Sequence, residues 1–423
     1  MRRNMWYLVG CAVLAGCDST NEPAAPSAGG TTEAVGMRQA GVTDVSMQSA
    51  FAIRDLGALG GVSAAAHDIN QRGQIAGEAD VAEPETHAFL TDRGYRPRDL
   101  GTLGGGFSAA FGVNDLGDVV GISNAHPDDD VHGFVWTAET GIQDMGTLGG
   151  GYSVAADINN RRQAVGFSGT AAGKERPFLW AQGTGMRDLE TLGGAAAEGD
   201  ANDINNASEV VGDVFPTGFS APDGHDRAFL WRPGQGARDL GTLGGTDAKA
   251  WAINDSGAVT GWATIPSGEA RPFLWTRVEG MKDLGNFGGG FSEALNLNER
   301  RTVVGLSYDT DGLPQAFVWT ARLGFRQLPR GGLGIGAFAQ AVNDRNQIVG
   351  TMFRGNGDVL AVVWTPTVNL DTAPLGTAPA ALFAVRTTGA AARSSAVWCR
   401  LSHIAAGRPV NLKPARMDVC PVR

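Results

Sequence analysis

The stretch Asp55-Leu56-Gly57-Ala58-Leu59-Gly60-Gly61 decides the fold, because it returns in close variants from Asp99, Asp144, Asp188, Asp239 and Asp283. The spacings are 44, 45, 44, 51 and 44 residues. Two further marks keep this period. One is an apolar residue, then a turn Asn, then Val-Gly or a similar pair, at Asn70, Asn114, Asn159, Asn205, Asn254, Asn298 and Asn343. The other is an apolar-aromatic run, from Phe89-Leu90 through Phe178-Leu179-Trp180 to Val362-Val363-Trp364, and it also occurs seven times. Three features that share one period across residues 51–364 describe one supersecondary unit repeated along the chain.

Each unit divides into four short β-like runs at Gly or Asn turns. In the third unit the runs are 153–159, 163–168, 177–181 and 186–189. Asn114-Asp-Leu-Gly117 and Asn254-Asp-Ser-Gly257 read as tight turns, with Asn capping its own turn and Gly at φ > 0. Four strands in about 44 residues match a β-propeller blade. The expected fold is therefore all-β, a seven-bladed β-propeller of four-stranded repeats over residues 51–370. The residue four before each turn Asn is Ala in all seven units: Ala66, Ala110, Ala155, Ala201, Ala250, Ala294 and Ala339. A side chain must be small where blades converge, so this strand is expected innermost. The Leu-Gly-Thr-Leu-Gly-Gly run then crosses from one blade's outer strand to the next inner strand. Phe51–Leu56 is an outer-strand sequence with no inner strand before it, and it can complete the seventh blade. Thr367-Val368-Asn369-Leu370 competes for that slot.

The Asp-Leu-Gly-Thr-Leu-Gly-Gly run, the Ile-Asn turn with its Val-Gly, and His87-Ala88-Phe89 resemble the HAF-type extracellular repeat family over residues 51–364. The resemblance implies an exported, propeller-like repeat protein of unassigned activity. The chain departs from it at the His itself. That slot holds His87 and His132, but then Arg176, Arg227, Arg271, Gln315 and Leu360, so it is not a shared catalytic group.

The N-terminus reads as an address. Met1-Arg2-Arg3 precedes an apolar run from Met5 to Ala15, then Leu14-Ala15-Gly16-Cys17. A basic start, a short apolar core and small residues describe a secretory signal. The ending resembles a bacterial lipobox, which implies cleavage of residues 1–16 and lipid on Cys17. Each buried methylene of such a lipid contributes about 0.8 kcal/mol, and two chains anchor stably. Residues 17–50, rich in Ala, Gly, Ser, Thr and Pro, read as a flexible tether. Residues 371–423 form a C-terminal appendage that carries Cys399 and Cys420. In an exported chain these two are expected to pair, closing a loop of roughly 22 residues worth about 3 kcal/mol.

Searching for chemistry yields little. His126-Pro-Asp128-Asp129-Asp130-Val-His132 places imidazole and carboxylate together, but reads as a solvated acidic loop. Asp309-Thr-Asp311-Gly312 has half a calcium loop without the distal Glu, and reads as a Gly-terminated turn. The Gly-rich runs lack the Lys-Ser/Thr and the helix a phosphate needs. No Gly-x-Ser-x-Gly elbow stands with partners. Two residues before the turn Asn lie Asp68, Asp157, Asp203 and Asn296, counted by strict alternation onto the face of the fixed Ala. Near an axis these could hold a cation or water, or bond adjacent hairpin amides, and the latter is the reading favoured.

The 62 glycines stand beside 10 Trp and 18 Phe, so this chain can bury a core and is not disordered. A net charge of −10 argues against nucleic acid as a partner. No cofactor or metal is expected. The expected function is a lipid-anchored binding or scaffolding module, not an enzyme, and monomeric, with an unknown protein or glycan partner. Its recognition loops join second to third strands: Asp80 and Glu85, His126 to His132, Asp223, His225 and Asp226, and Asp309 and Asp311. The alternative is a polysaccharide hydrolase or lyase with carboxylates at the channel mouth.

Overall fold

A computed structural model describes residues 46–372, apart from 83–84, 126–129, 190–191, 193, 195–197 and 216–223. Apart from a four-residue helix, Met47–Ala50, and its turns, this body is all-β. Among the described residues the strands fall into seven four-stranded antiparallel groups, the blades expected from the repeat. Blade 3 is typical: Gly149–Ile158, Gln163–Thr170, Glu175–Ala181 and Gly185–Asp188 pair in chain order. Single parallel bridges, Thr86 to Phe107 and Ala270 to Phe291, link blades 1 to 2 and 5 to 6.

The first strands touch one another around a ring, and Gly336–Val342 of blade 7 returns to Ala64–Ile69 of blade 1. The Ala-bearing strand is therefore innermost. Every first strand has a register shift just after its fixed Ala, as between Ala66 and Asp68. That bulge explains the Val-Gly mark on the second strand. A Cβ on Gly77 would lie 2.0 Å from the Ala65 carbonyl oxygen, and one on Gly212 would lie 1.9 Å from that of Asp200. Only glycine permits this approach.

Phe51–Asp55 pairs with Val359–Pro366 and supplies blade 7 with its fourth strand. The rival segment after Pro366 is not a strand. Thr367 N–H donates to the Ala50 carbonyl and Leu370 is buried. The core lies between blades. Phe89, Phe134, Phe178, Phe229, Phe273 and Phe317, one on the third strand of each of blades 1 to 6, are fully buried. Ala155 packs with Val120 and Val135 of blade 2 and Phe178 of its own blade.

The seven turn asparagines close a circle. Each Oδ1 accepts amides within its own turn, as Asn114 does from Leu116 and Asp118. Each Nδ2 donates to the backbone carbonyl of the next blade's Asn: Asn70 to Asn114 at 2.9 Å, and finally Asn343 to Asn70 at 3.2 Å. All seven are buried. An outer circle repeats the device one residue later. There the amides of Gln71, Asp115, Asn160, Asn206, Asp255, Glu299 and Asp344 each donate to the side chain of the next member.

Candidate functional site: the inner strands and the loop face

The slot that holds His87 and His132 is a latch between strands. His87 Nδ1 lies 2.9 Å from Asp99, and His132 Nδ1 lies 2.8 Å from Asp144. Arg176 binds Asp188 at 3.0 Å, Arg227 binds Asp239 at 2.9 Å, and Gln315 meets Gln327. In each case a third-strand group reaches the fourth-strand residue twelve positions on. Arg271 instead pairs with Glu269, and where Leu360 stands Asp55 faces Arg354 at 3.5 Å. The same Asp also caps the crossover: Gly57, Gly101, Gly146, Gly241 and Gly285 donate their N–H to the Asp two residues before. These glycines have φ between 72° and 96°, which explains Asp-Leu-Gly as a phrase. The constant twelve-residue spacing was the signal for this latch in the sequence, and it was missed.

The loops between second and third strands share a face with the crossovers. Gly61 N–H donates to the Asp80 carbonyl, and Leu103, Leu148 and Phe287 bridge to the ends of second strands. Four of these loops close as similar tight turns: Thr170 to Lys174, Ile265 to Glu269, Asp309 to Leu313 and Arg354 to Asp358. The corresponding segments of blades 1, 2 and 4 differ from these in sequence. Asp80 accepts from the Ser63 amide and the Thr86 hydroxyl, and Glu85 is exposed beside His87. Asp130 is exposed. Asp309 Oδ1 accepts the amides of Asp311 and Leu313, a Gly312-terminated turn. His225 lies 3.3 Å from Asp247, and Asp226 lies 3.7 Å from Lys249. The candidates therefore stand on separate blades and do not converge. His126, Asp128 and Asp223 lie outside the described residues, as do Cys17, Cys399 and Cys420.

A polar cluster that the repeat pattern hid does converge, on blades 3 to 5. Lys249 Nζ is 2.8 Å from Asp213, with both side chains almost fully buried. Asn202 Nδ2 donates to Asp213 at 3.2 Å, and the Tyr152 hydroxyl donates to Glu175 at 2.6 Å. Burial, then Glu175 and Asp213, push the Asp200 carboxyl well above the carboxylate range. Burial opposes charge on Lys249, but Asp213, Asp226 and Asp200 outweigh it and raise its pKa. Burial raises Asp226 to about 6 and Glu293 to about 7, and Trp251 Nε1 donates to Glu293 at 3.1 Å. Asp200, Lys249 and Glu293 occupy the position just before the fixed Ala, where other blades carry Ala65, Ala109, Val154 and Phe338. That departure was visible but was not weighed.

The axial residues link blades through amides. Asp68 accepts from Val113 at 2.8 Å, Asp157 from Ile204 at 3.3 Å, Asp203 from Ile253 at 2.7 Å and Asn296 from Val342 at 3.3 Å. The expectation that they share the face of the fixed Ala fails. Ala66 packs against Ala341 and Val349 of blade 7, whereas Asp68 reaches blade 2. The bulge inserts one residue and reverses the alternation. Burial raises all three carboxyls, Asp68 to about 7. The nearby Asp203 carboxyl adds to burial in pushing Asp157 well above the carboxylate range, and burial also raises Asp203.

No family model and no curated protein sequence matches the chain. Solved structures do. The β-propeller domain of the Trilobed protease from Pyrococcus furiosus, described as having an open velcro topology, superposes with a TM-score of 0.52 at 11% identity, covering 71% of this chain and 95% of that one. Virginiamycin B lyase from Staphylococcus aureus (TM-score 0.44, 9% identity, 74% and 99% coverage) and the BP39L lectin from Burkholderia pseudomallei (0.42, 8%, 74% and 99%) are more distant. At 11% identity the likeness to the first of these supports the β-propeller fold and says nothing of the chemistry.

Proposed function

We propose that the chain is an exported, lipid-anchored binding or scaffolding module of the HAF-repeat type. Its lipid would sit on Cys17, and its partner would be an envelope protein or a glycan. One observation carries this reading. The constant polar side chains, the turn Asn and the crossover Asp, are committed to bonds within the scaffold. Variation is left to the loops of blades 1, 2 and 4, on the face shared with the crossovers. Variable loops on a rigid frame are where recognition sits. The test is to shorten the 216–225 loop while keeping Asp226, which contacts Lys249. Stability should change little, because loop entropy depends weakly on length. Capture of envelope proteins or array glycans by wild type should be lost. Unchanged capture, or none by wild type, would refute the assignment.

A second reading, a polysaccharide hydrolase or lyase, draws on the buried Glu175–Asp200 carboxyl pair beside Lys249 and Tyr152. One carboxyl holding its proton next to charged neighbours is the arrangement of an acid-base pair. Polysaccharide cleavage that Glu175→Gln abolishes without weakening capture would favour it.

A further inference from the structure

On the opposite face, the turn of each blade meets the turn of the next through two fixed positions. The residue three after the turn Asn adopts positive φ, as in Gly117, Arg162, Ser208 and Arg301. It packs against the residue four after the Asn of the preceding blade. Arg162 Nε binds Asp118 at 2.9 Å across the junction of blades 2 and 3. Ser208 donates to Gln163 at 2.7 Å, and Thr302 donates to Asn346 at 2.8 Å. Where the first position is Gly, the side chain of Gln74, Glu209 or Gln347 lies against it. A polar group therefore occupies the second position at every junction except that of blades 5 and 6. There Arg301 faces Ala258.

Ala258 is as buried as Asp118, so the slot is the same place without its carboxylate. It opens into a cleft of about 370 Å³ lined by Glu209, Arg232, Asp255, Ala258, Arg277 and Arg301. Both acids there are already spent. Glu209 is held by Arg232 and by Asn205 Nδ2, and Asp255 accepts from the Asn206 amide and side chain. Among the described residues Arg277 and Arg301, both exposed, form no ion pair within 4 Å and no side-chain hydrogen bond, although the charge of Arg277 also acts on Glu209. We infer that this cleft binds a small carboxylate-bearing ligand such as a sugar acid, with its carboxylate on Arg301 where Asp118 sits on Arg162. A guanidinium offers paired donors that match a planar carboxylate. Arg277 adds a second positive charge to the same wall.

The probe is sodium D-glucuronate, titrated into the full chain at low ionic strength and followed by calorimetry, with glucose and inorganic phosphate as comparisons. Glucuronate should bind, glucose should not, and phosphate should bind more weakly. Arg301→Asn places there the residue that Asn346 supplies in blade 7, so the turn is kept. It should weaken glucuronate by about tenfold or more. Ala258→Asp should fill the slot from within, weaken glucuronate to the same degree and leave the melting temperature no lower. No binding by wild type, equal binding of glucose, tighter binding of phosphate, or affinity that survives both substitutions would overturn the inference.

Discussion

Asp68, Asp157 and Asp203 concentrate the sharpest residue-scale consequence, because three buried carboxyls stand on the inner strands of blades 1, 3 and 4, each accepting a backbone amide from another blade. A carboxyl whose folded pKa is raised binds more protons folded than unfolded. Its contribution is therefore fully present below the unfolded value near 4 and is lost as pH rises through the folded value. For Asp68 that window runs up to about 7, and Glu293 adds the same sign over the same window. Urea midpoints should thus fall between pH 5 and pH 7.5. Asp68→Asn should shrink that fall, and the substitution is compatible with the fold because Asn296 fills the equivalent place in blade 6. A midpoint that is flat or rises with pH would contradict the proton bookkeeping. The positions of these residues were legible in the sequence from their distance to the turn Asn. Their face was not, because a one-residue bulge leaves no mark in a pattern of alternation except the glycine opposite it.

Among the elements, the first strand is the most constrained, pressed between two blades and around the axis. Ala155 is fully buried between Val120, Val135 and Phe178. Ala155→Leu should overpack that contact at a cost of about 1–3 kcal/mol. Thermal melting checks this, and a variant that melts like wild type would mean the inner strand is misplaced. This strand could be placed from sequence because Ala never varies there, and a constant small residue reports a steric limit. The third-to-fourth-strand latch escaped for the opposite reason. His, Arg and Gln share little as letters, yet each bonds to the residue twelve positions on in the next strand, His and Arg as donors and Gln315 as acceptor from Gln327, so the constant property was the pairing and not the residue type. The polar cluster on blades 3 to 5 escaped because it belongs to no repeat, being assembled from single departures such as Lys249 and Asp200.

For the whole molecule, the repeat count, the crossovers and Phe51–Leu56 as a candidate for closing blade 7 could be read from the sequence, but the choice between it and Thr367–Leu370 rests on long-range contacts a period cannot show. Two circles of side-chain bonds return from blade 7 to blade 1, through Asn343 to Asn70 and Asp344 to Gln71. The N-terminal strand Phe51–Asp55 completes blade 7, so the first described strand and the last are one structural unit. This closure joins the strands that carry the loops of separate blades into one ring, as the proposed binding role requires. Hydrogen exchange of the intact chain tests it most directly. The amides of Phe51–Leu56 should exchange as slowly as those of Val359–Pro366, opening only with the whole ring. Exchange of that segment at the rate of free chain, while the blades stay protected, would show that the ring is not closed by its N-terminal strand.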